Sequence, residues 1–354
     1  MLSANASGAN NQSTARFAAL TAWLEALAPQ HELKIETLRA ASHDASFRRY
    51  FRLDTRTGTV VAMDAPPPHE DCRPFVHVRG LLSNAGINVP TILAQDISQG
   101  FLLLSDLGPR TYYQAIEAGL DDAALQRIYR EALNALARMQ HAATTDLPHY
   151  DEARLLEELA LFPDWYIARH CKATLSADEV NALQNAFHLL ARDNAAQPSV
   201  FVHRDFHSPN LMLCDGDRFG TNPGIIDFQD ALRGPLTYDL ASLVMDARTT
   251  WEESQQLDWA IRYWEQARAT GLPVPTDFAE FHRAYEWMGL QRNLRILGVF
   301  ARLSHRDGKH DYLNHMPRVN AYIRQVVGRY SVFRPLLRLF DRLDNRRVSV
   351  RYTF

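Results

Sequence analysis

The stretch that decides the fold is Val200 to Asp227, which opens with VFVHRDFHSPNLMLC and closes with GIID. It contains short apolar runs: one ends at His203, a second covers residues 211–213, and a third precedes Asp227. Short apolar runs separated by turn residues predict buried strands. Polar side chains at the ends of such strands can converge on one point, and here those side chains are Asp205, Asn210 and Asp227.

These three groups are of the types that phosphoryl transfer from ATP requires. Asp205 would position the attacking hydroxyl and accept its proton, while Asn210 and Asp227 would hold Mg²⁺ on the phosphates. The stretch combines His-Arg-Asp, an Asn five residues after the Asp, and an Asp-Phe pair after a strand. This joint spacing indicates the catalytic loop of a kinase.

Two other interpretations of the stretch compete with this one. A buried polar loop in an ordinary α/β domain accounts for any single Asp or Asn, but not for the joint pattern. His203, Asp205 and His207 alternate, so on a regular strand they would share one face and could bind zinc. This metallohydrolase interpretation leaves Asn210 and Asp227 without a role, and we therefore rank it below the kinase interpretation.

The stretch resembles the aminoglycoside phosphotransferase-like kinases, which are small-molecule relatives of the protein kinases. Within that family it is most similar to the bacterial anomeric kinases of N-acetylmuramate and N-acetylglucosamine. The segments that carry the resemblance are ASFRRYFRL (45–53), MDAPP (63–67), LFPDWYIAR (161–169), residues 203–212, IDFQDALRGPLTYDL (226–240) and QRNLRILGVFARL (291–303).

The resemblance implies an α+β, two-lobed, protein-kinase-like fold. Residues 1–105 would form a small lobe with an N-terminal helix, a five-stranded antiparallel sheet and one main helix. Residues 106–354 would form a mostly helical lobe that carries the catalytic loop and the acceptor site. The implied reaction is ATP- and Mg²⁺-dependent phosphorylation of the anomeric hydroxyl of an amino sugar, in peptidoglycan recycling. An aminoglycoside kinase, or a catalytically silent nucleotide-binding module, remains an alternative.

Composition sets the class of protein and its partners. The chain has 354 residues and a net charge of −3, with scattered Lys and Arg residues, so we expect a small-molecule substrate and no nucleic acid. Its three cysteines are far apart, which argues against a disulfide scaffold or zinc knuckle. Because the N-terminus is polar, we expect no signal peptide, and no apolar run approaches membrane-spanning length. We expect the cytoplasm as location; the sequence does not indicate the oligomeric state.

The pattern of apolar residues predicts the elements of the small lobe. It predicts a helix from Thr14 to Leu27 that Pro29 ends, and another helix around residues 73–84. Strands are expected at residues 33–38, 47–53, 60–63, 92–94 and 101–104. Beyond these, residues 121–136 carry an apolar stripe that predicts the central helix of the large lobe.

The loop before Phe47 should cover the ATP phosphates, although it contains no glycine. Ser46, together with backbone amides of residues 45–47, would form a small anion nest. The third strand ends at Met63, where kinases generally place a lysine or arginine that holds the phosphates. Another cation must replace it. Arg48 is predicted because side chains alternate along a strand and it shares the face of Ser46, unlike Arg49; alternatively, both arginines face solvent.

The segment FLLLSDLG at residues 101–108 resembles the connection between the lobes of a kinase. Its backbone, up to Asp106, would bind the adenine edge, while Leu103 and Leu104 would form apolar walls. A buried edge strand followed by a turn at Gly108-Pro109 is the alternative interpretation.

Several residues are candidates for the acceptor side. His207 is expected near the substrate, and Trp165 is a candidate for stacking on a sugar. The lactyl carboxylate of N-acetylmuramate suits a bidentate arginine, for which Arg233, Arg292 and Arg295 are candidates; each is equally compatible with a surface or helix-bracing role. An aminoglycoside kinase would instead need an acidic acceptor pocket.

Two further residues are expected to support the catalytic loop. His203 should pack beneath it. The resemblance implies that Asp239 accepts backbone hydrogen bonds from the loop, whereas a helix N-cap is the competing role for Asp239.

Overall fold

The structure is a computed structural model that describes residues 3–42, 47–67, 69–214, 216 and 218–344, without the side chains of residues 3–13 and 42. The N-terminal part contains a five-stranded sheet in the order β1-β2-β3-β5-β4, and every neighbouring pair is antiparallel. The expected five-stranded antiparallel sheet is therefore confirmed. Its elements are α1 (Ser3–His31), β1 (Lys34–Ser42), β2 (Arg49–Asp54), β3 (Thr59–Asp64), α2 (Arg73–Asn84), β4 (Ile92–Asp96) and β5 (Phe101–Ser105).

Strand β5 lies between β3 and β4, so it is a central strand, and the alternative interpretation of this segment as an edge strand is wrong. Its apolar run is continuous because both faces of the sheet are covered. Leu103 belongs to a core that includes Leu20 and Leu24 of α1, whereas Leu104 belongs to the large core shared with the helical part. We propose that the boundary between the lobes follows Ser105, at the end of this strand.

Two boundaries near the N-terminus differ from the expectation. Helix α1 continues through Pro29 to His31. A proline ring in the last turn removes only one backbone donor, so it does not end the helix there. Strand β2 begins at Arg49 rather than at Phe47, which places Arg48 in the loop just before the strand.

The C-terminal part is mostly helical, with two small antiparallel strand pairs, β6–β9 and β7–β8, at the catalytic stretch. Its elements are α3 (Tyr112–Glu117), α4 (Asp122–Met139), α5 (Glu152–Leu159), a π-helix (Phe162–His170), α6 (Ala177–Ala195), β6 (Ser199–Val202), β7 (Leu211–Met212), β8 (Gly224–Ile225), β9 (Leu232–Pro235), α7 (Tyr238–Val244), α8 (Glu253–Ala269), α9 (Phe278–Asp307), α10 (Met316–Arg329) and α11 (Arg334–Leu343). Short 3₁₀ turns occupy Ser208–Asn210, His310–His315 and Ser331–Phe333.

The central helix of this part is α9, not α4 as the apolar stripe predicted. Helix α9 packs against the π-helix and against α5, α6, α7, α8 and α10, and it is buried over most of its length. Helix α4 buries one face and packs on α7 and α8. The sequence of α9 does not indicate that this helix is central, because several of its buried residues are polar, among them Gln291, Arg292 and Asn293. Among the described residues, no helix is both long and apolar enough to cross a bilayer.

We predict that Gly298→Ala destabilises the protein. A Cβ atom at this position of α9 would clash with the backbone carbonyl group of Leu161, just before the π-helix. Overpacking of this kind costs about 1–3 kcal/mol. As a matched control, Gly80→Ala in α2 meets no atom within 4 Å, and it should stabilise by about 0.5–1 kcal/mol because alanine favours the helix. Denaturant unfolding of both variants checks this, and equal stability would contradict the packing described.

Candidate active site

The loop that follows β6 is held by the carboxylate of Asp239, in the first turn of α7. Asp239 Oδ2 accepts a hydrogen bond of 2.6 Å from His203 N, and Oδ1 accepts one of 3.0 Å from Arg204 N. Arg204 has a φ of 77°, a conformation that L-residues rarely adopt. Burial raises the pKa of Asp239 to about 7, although the two backbone N–H groups and the charge of Arg292 favour the ionised form. The carboxylate thus holds a strained turn at the start of the catalytic loop.

The imidazole of His203 links this loop to the segment that carries Asp227. Its Nδ1 accepts a hydrogen bond of 3.3 Å from Asp205 N, so Nε2 is the donor to Ile226 O at 3.1 Å. Burial lowers the pKa of His203 to about 4, which keeps the ring neutral at physiological pH. Because both ring nitrogens are engaged, His203 cannot ligate zinc, and the metallohydrolase interpretation is wrong.

The structure brings Asp205, Asn210 and Asp227 together. Asn210 Nδ2 donates to the backbone oxygen of Asp205 at 2.9 Å and lies 3.4 Å from Asp227 Oδ2. Gln229 Nε2 donates to the other oxygen of Asp227 at 2.9 Å. Asp227 has a φ of 64°, a second strained position, and its side chain is 35% exposed. The carboxylate is therefore oriented by the protein and still accessible.

This arrangement fits a magnesium ion bound together with phosphates. Among the described residues there is no cluster of three His, Cys, Asp or Glu side chains that would hold a metal. Magnesium commonly takes one or two protein ligands and completes its octahedron with water and substrate phosphates. The carboxylate of Asp227 and the amide oxygen of Asn210 are oxygen donors of the kind it prefers, so the site suits an ion that arrives with a nucleotide.

His207 lies beneath Asn210 rather than pointing freely toward a substrate. Its Nε2 is 3.3 Å from Asn210 Nδ2, and its Nδ1 is 3.2 Å from Arg248 Nη1 and 3.8 Å from Asp246 Oδ1. The backbone N–H of Ser208 donates to Asp246 at 3.1 Å. These contacts favour a supporting role for His207. Sequence reasoning missed Asp246, although it follows the apolar run at residues 240–245.

Positive charges surround Asp205. Burial acts to raise the pKa of Asp205, but the charges of His207, Arg295, Arg292 and Arg204 outweigh burial and lower it to about 2. Glu158 of α5 accepts from Arg204 Nη2 at 2.7 Å and lies 3.2 Å from Arg295 Nε. The carboxylate of Asp205 is therefore ionised, and the sequence did not predict that Glu158 pairs with two of the arginines near it.

The other acceptor-side candidates occupy different places. Arg292 is buried on α9, and its Nε and Nη1 have no hydrogen-bond partner within the described part of the chain. Arg233 is exposed on β9, opposite Phe201 of β6. Trp165 is half-buried on the π-helix, with the guanidinium of Arg169 5.0 Å from its ring centroid. Of the arginines predicted for a carboxylate, Arg292 and Arg295 influence Asp205 most directly.

On the nucleotide side, Arg48 reaches the site. Its Nη2 lies 3.5 Å from Asp227 Oδ1, and its Nε lies 3.9 Å from Glu70 Oε2. Arg49 instead pairs with Asp64, which is fully buried and also receives a hydrogen bond of 2.8 Å from Arg16. Phe47 is 63% exposed and stacks on His69. Ser46 lies outside the described residues.

Met63 is fully buried in the large core, opposite Tyr50 and Leu102 in the sheet. This position therefore has no access to phosphates, and its side chain contributes to packing. A lysine at position 63 would be unfavourable, because its ammonium group would be surrounded by apolar side chains.

The connection between the lobes differs in detail from the expectation. Leu103 and Leu104 face opposite sides of the sheet, so only Leu104 lies on the side of the large core. The carboxylate of Asp106 is occupied: it pairs with Arg52 at 2.7 Å and accepts hydrogen bonds from Thr59 Oγ1 at 2.7 Å and Gly108 N at 3.0 Å. Leu107, Met212 and Ile226 form a small apolar cluster beside Asp227 that sequence reasoning did not identify.

Comparison with known proteins identifies the family of this chain. Residues 37–318 match the family described as phosphotransferase enzyme family. The N-acetylmuramate/N-acetylglucosamine kinase of Pseudomonas aeruginosa is 46% identical over 323 residues, which cover 89% of this chain and 93% of that protein.

Solved structures of low sequence identity share the fold. The choline kinase LicA from Streptococcus pneumoniae has a TM-score of 0.57 and 14% identity, and the alignment covers 85% of this chain and 97% of that one. The ADP-bound aminoglycoside phosphotransferase APH(2″)-Ib has a TM-score of 0.56 and 13% identity, over 86% and 97% of the two chains. The expected kinase-like α+β fold is thus confirmed, and the chain belongs to the phosphotransferase enzyme family.

Proposed function

We propose that this protein is an ATP-dependent kinase that phosphorylates the anomeric hydroxyl of N-acetylmuramate and N-acetylglucosamine. The observation that carries the reaction type is that the amide of Asn210 lies between the backbone of Asp205 and the carboxylate of Asp227. The amino-sugar substrate rests on the name of the Pseudomonas aeruginosa relative, which aligns over most of both chains. The product would be a sugar 1-phosphate used in peptidoglycan recycling, and ATP as donor implies the cytoplasm as location.

In the proposed reaction, Asp205 accepts a hydrogen bond from the sugar hydroxyl and takes its proton as the oxygen attacks the γ-phosphorus. The bond between the γ-phosphorus and the β–γ bridging oxygen breaks, and ADP leaves. Because the pKa of Asp205 is held near 2, the carboxylate is ionised but weakly basic. An anomeric hydroxyl is more acidic than an ordinary alcohol, so positioning by such a carboxylate suffices.

Asn210 and Asp227 would hold magnesium, which would neutralise charge on the phosphates when bound. The contribution of the chain itself is orientation. Gln229 holds one oxygen of Asp227, and His207 supports Asn210, so both ligands have their positions before the nucleotide arrives. Preorganised polar groups of this kind need no reorganisation during the reaction.

The charges around the acceptor favour an acidic sugar over an aminoglycoside. Arg204, Arg292 and Arg295 act on Asp205, and Glu158 pairs with Arg204 and Arg295. A polycationic substrate would be repelled by this environment, whereas the lactyl carboxylate of N-acetylmuramate would be attracted.

An assay across a panel of acceptors tests the substrate. We expect magnesium-dependent ATP consumption with N-acetylmuramate and N-acetylglucosamine, and phosphorus NMR should show a phosphate on the anomeric oxygen. The methyl glycosides of these sugars should be inert, because the acceptor hydroxyl is blocked. Turnover of an aminoglycoside with neither amino sugar phosphorylated would show that the substrate is wrong.

We predict that Asp205→Asn lowers kcat by roughly three orders of magnitude or more, as expected for loss of a proton acceptor that also positions the hydroxyl. The dissociation constant of magnesium–ATP should change little, because Asp205 acts on the acceptor. Asp227→Ala is the matched comparison, and it should abolish magnesium-dependent nucleotide binding. Calorimetric titration of both variants separates the roles; equally tight binding by both would argue against Asp227 as metal ligand.

We also predict that Arg48→Ala raises KM for ATP and lowers kcat, because Arg48 is the cation beside Asp227. Arg49→Ala should reduce stability more than it affects KM, since Arg49 neutralises the buried Asp64. Met63→Lys should give no gain of activity and should destabilise, because Met63 lies in the apolar core. Steady-state kinetics and thermal unfolding of the three variants test these predictions. Wild-type kinetic constants for Arg48→Ala together with higher activity of Met63→Lys would show that Arg48 is not the replacement cation.

A further inference from the structure

The carboxylate of Glu158, on α5, is shared by two arginines near the catalytic loop. Its Oε1 accepts a hydrogen bond of 2.7 Å from Arg204 Nη2, and its Oε2 lies 3.2 Å from Arg295 Nε. The hydroxyl group of Tyr150 also donates to Oε2. The side chain of Glu158 is 12% exposed, and those of Arg204 and Arg295 are 15% and 19% exposed. Water therefore screens these charges only in part, and one negative charge faces two positive ones.

The positive charge continues along α9. Arg292, Arg295 and Arg302 are spaced by three and seven residues, so they lie on one face of this helix. The Nε atoms of Arg292 and Arg302 are buried and have no hydrogen-bond partner in the part of the chain that the structure describes. Burial and the charges of Arg306 and Arg295 lower the pKa of Arg302. This face of α9, which includes two arginines that act on Asp205, therefore carries more positive charge than Glu158 balances.

The two proposed acceptors differ in the property to which such a site responds. N-acetylmuramate is N-acetylglucosamine with a lactyl ether, which adds one carboxylate and leaves the anomeric hydroxyl unchanged. Partly buried charges interact over several ångströms. A change in the net charge around Asp205 should therefore alter the use of N-acetylmuramate selectively, whereas damage to Asp205 or to the fold should affect both sugars alike.

We propose that Glu158 is a positioning residue that sets the acceptor preference. It holds the guanidinium groups of Arg204 and Arg295 and offsets their charge, so that one site accepts a sugar with a carboxylate and a sugar without one. Without the charge of Glu158, the site would favour the acidic sugar; without the charge of Arg295, it would favour the neutral one. This inference rests on the proposed function, because it takes the two amino sugars as acceptors.

The test is the ratio of kcat/KM for N-acetylmuramate to kcat/KM for N-acetylglucosamine. A loss of folded enzyme lowers both constants equally and cancels in this ratio. In Glu158→Gln, which keeps the shape of the side chain and removes its charge, we expect the ratio to rise by about tenfold, which corresponds to about 1.4 kcal/mol. High salt should reduce this rise, because it screens the charges.

Three further variants make the test specific for charge. Arg295→Gln should move the ratio in the opposite direction, toward N-acetylglucosamine, and it carries the test if Glu158→Gln does not fold. The double variant Glu158→Gln/Arg295→Gln should have a ratio near that of the wild type, because one charge of each sign is removed. Glu157→Gln is the matched control: Glu157 is the exposed neighbour of Glu158 in α5, so the same change in net charge should leave the ratio unchanged.

A ratio that stays at the wild-type value in either Glu158→Gln or Arg295→Gln, where that variant retains activity, would overturn the proposal, because Glu158 would then act on the fold alone. An equal rise in Glu157→Gln would also overturn it, because the net charge of the whole protein would then be the cause. A wild-type protein that phosphorylates just one of the two sugars would contradict the role of Glu158 and leave the reaction type standing. A wild-type protein that phosphorylates neither sugar would overturn the proposed substrate itself.

Discussion

The active site depends on the paired hydrogen bonds from His203 N and Arg204 N to the carboxylate of Asp239. A non-glycine residue with positive φ, such as Arg204, costs of order 1–3 kcal/mol and persists only where its surroundings hold it. Asp239 supplies that restraint from α7, which packs against α9. The position of Asp205, one residue further on, follows from this turn, and so does the geometry of the loop up to Asn210.

Charge is then distributed so that His203 and Asp205 each have one protonation state at neutral pH. His203 stays neutral because burial lowers its pKa and both ring nitrogens are bonded. Asp205 stays ionised because arginines from the loop and from α9 surround it. Glu158 moderates this positive charge by pairing with Arg204 and Arg295. The result is an ionised Asp205 in surroundings where positive charges lower its pKa.

The small lobe differs from that of kinases that carry a lysine on β3. Its third strand is filled with apolar side chains as far as Met63, and the following Asp64 is buried and neutralised by Arg16 and Arg49. Arg16 comes from α1, where its guanidinium also lies 4.3 Å from the ring centroid of Phe101. The N-terminal helix is thus part of the small lobe's charge balance.

The sequence by itself determined the catalytic stretch, the five strands and the kinase-like class. Spacing along a short loop and alternation along a strand are local properties, and the residues that converge, Asp205, Asn210 and Asp227, lie close together in the chain. The sequence could not reveal that Leu103 and Leu104 face different cores, that α9 is the central helix, or that Asp246 contacts Ser208 and His207. Those facts depend on contacts between segments far apart in the chain, such as Glu158 with Arg295 or Phe75 with Phe228. Only tertiary packing decides which charged side chains form pairs. In the sequence, a polar residue that faces solvent cannot be distinguished from one that faces a buried partner.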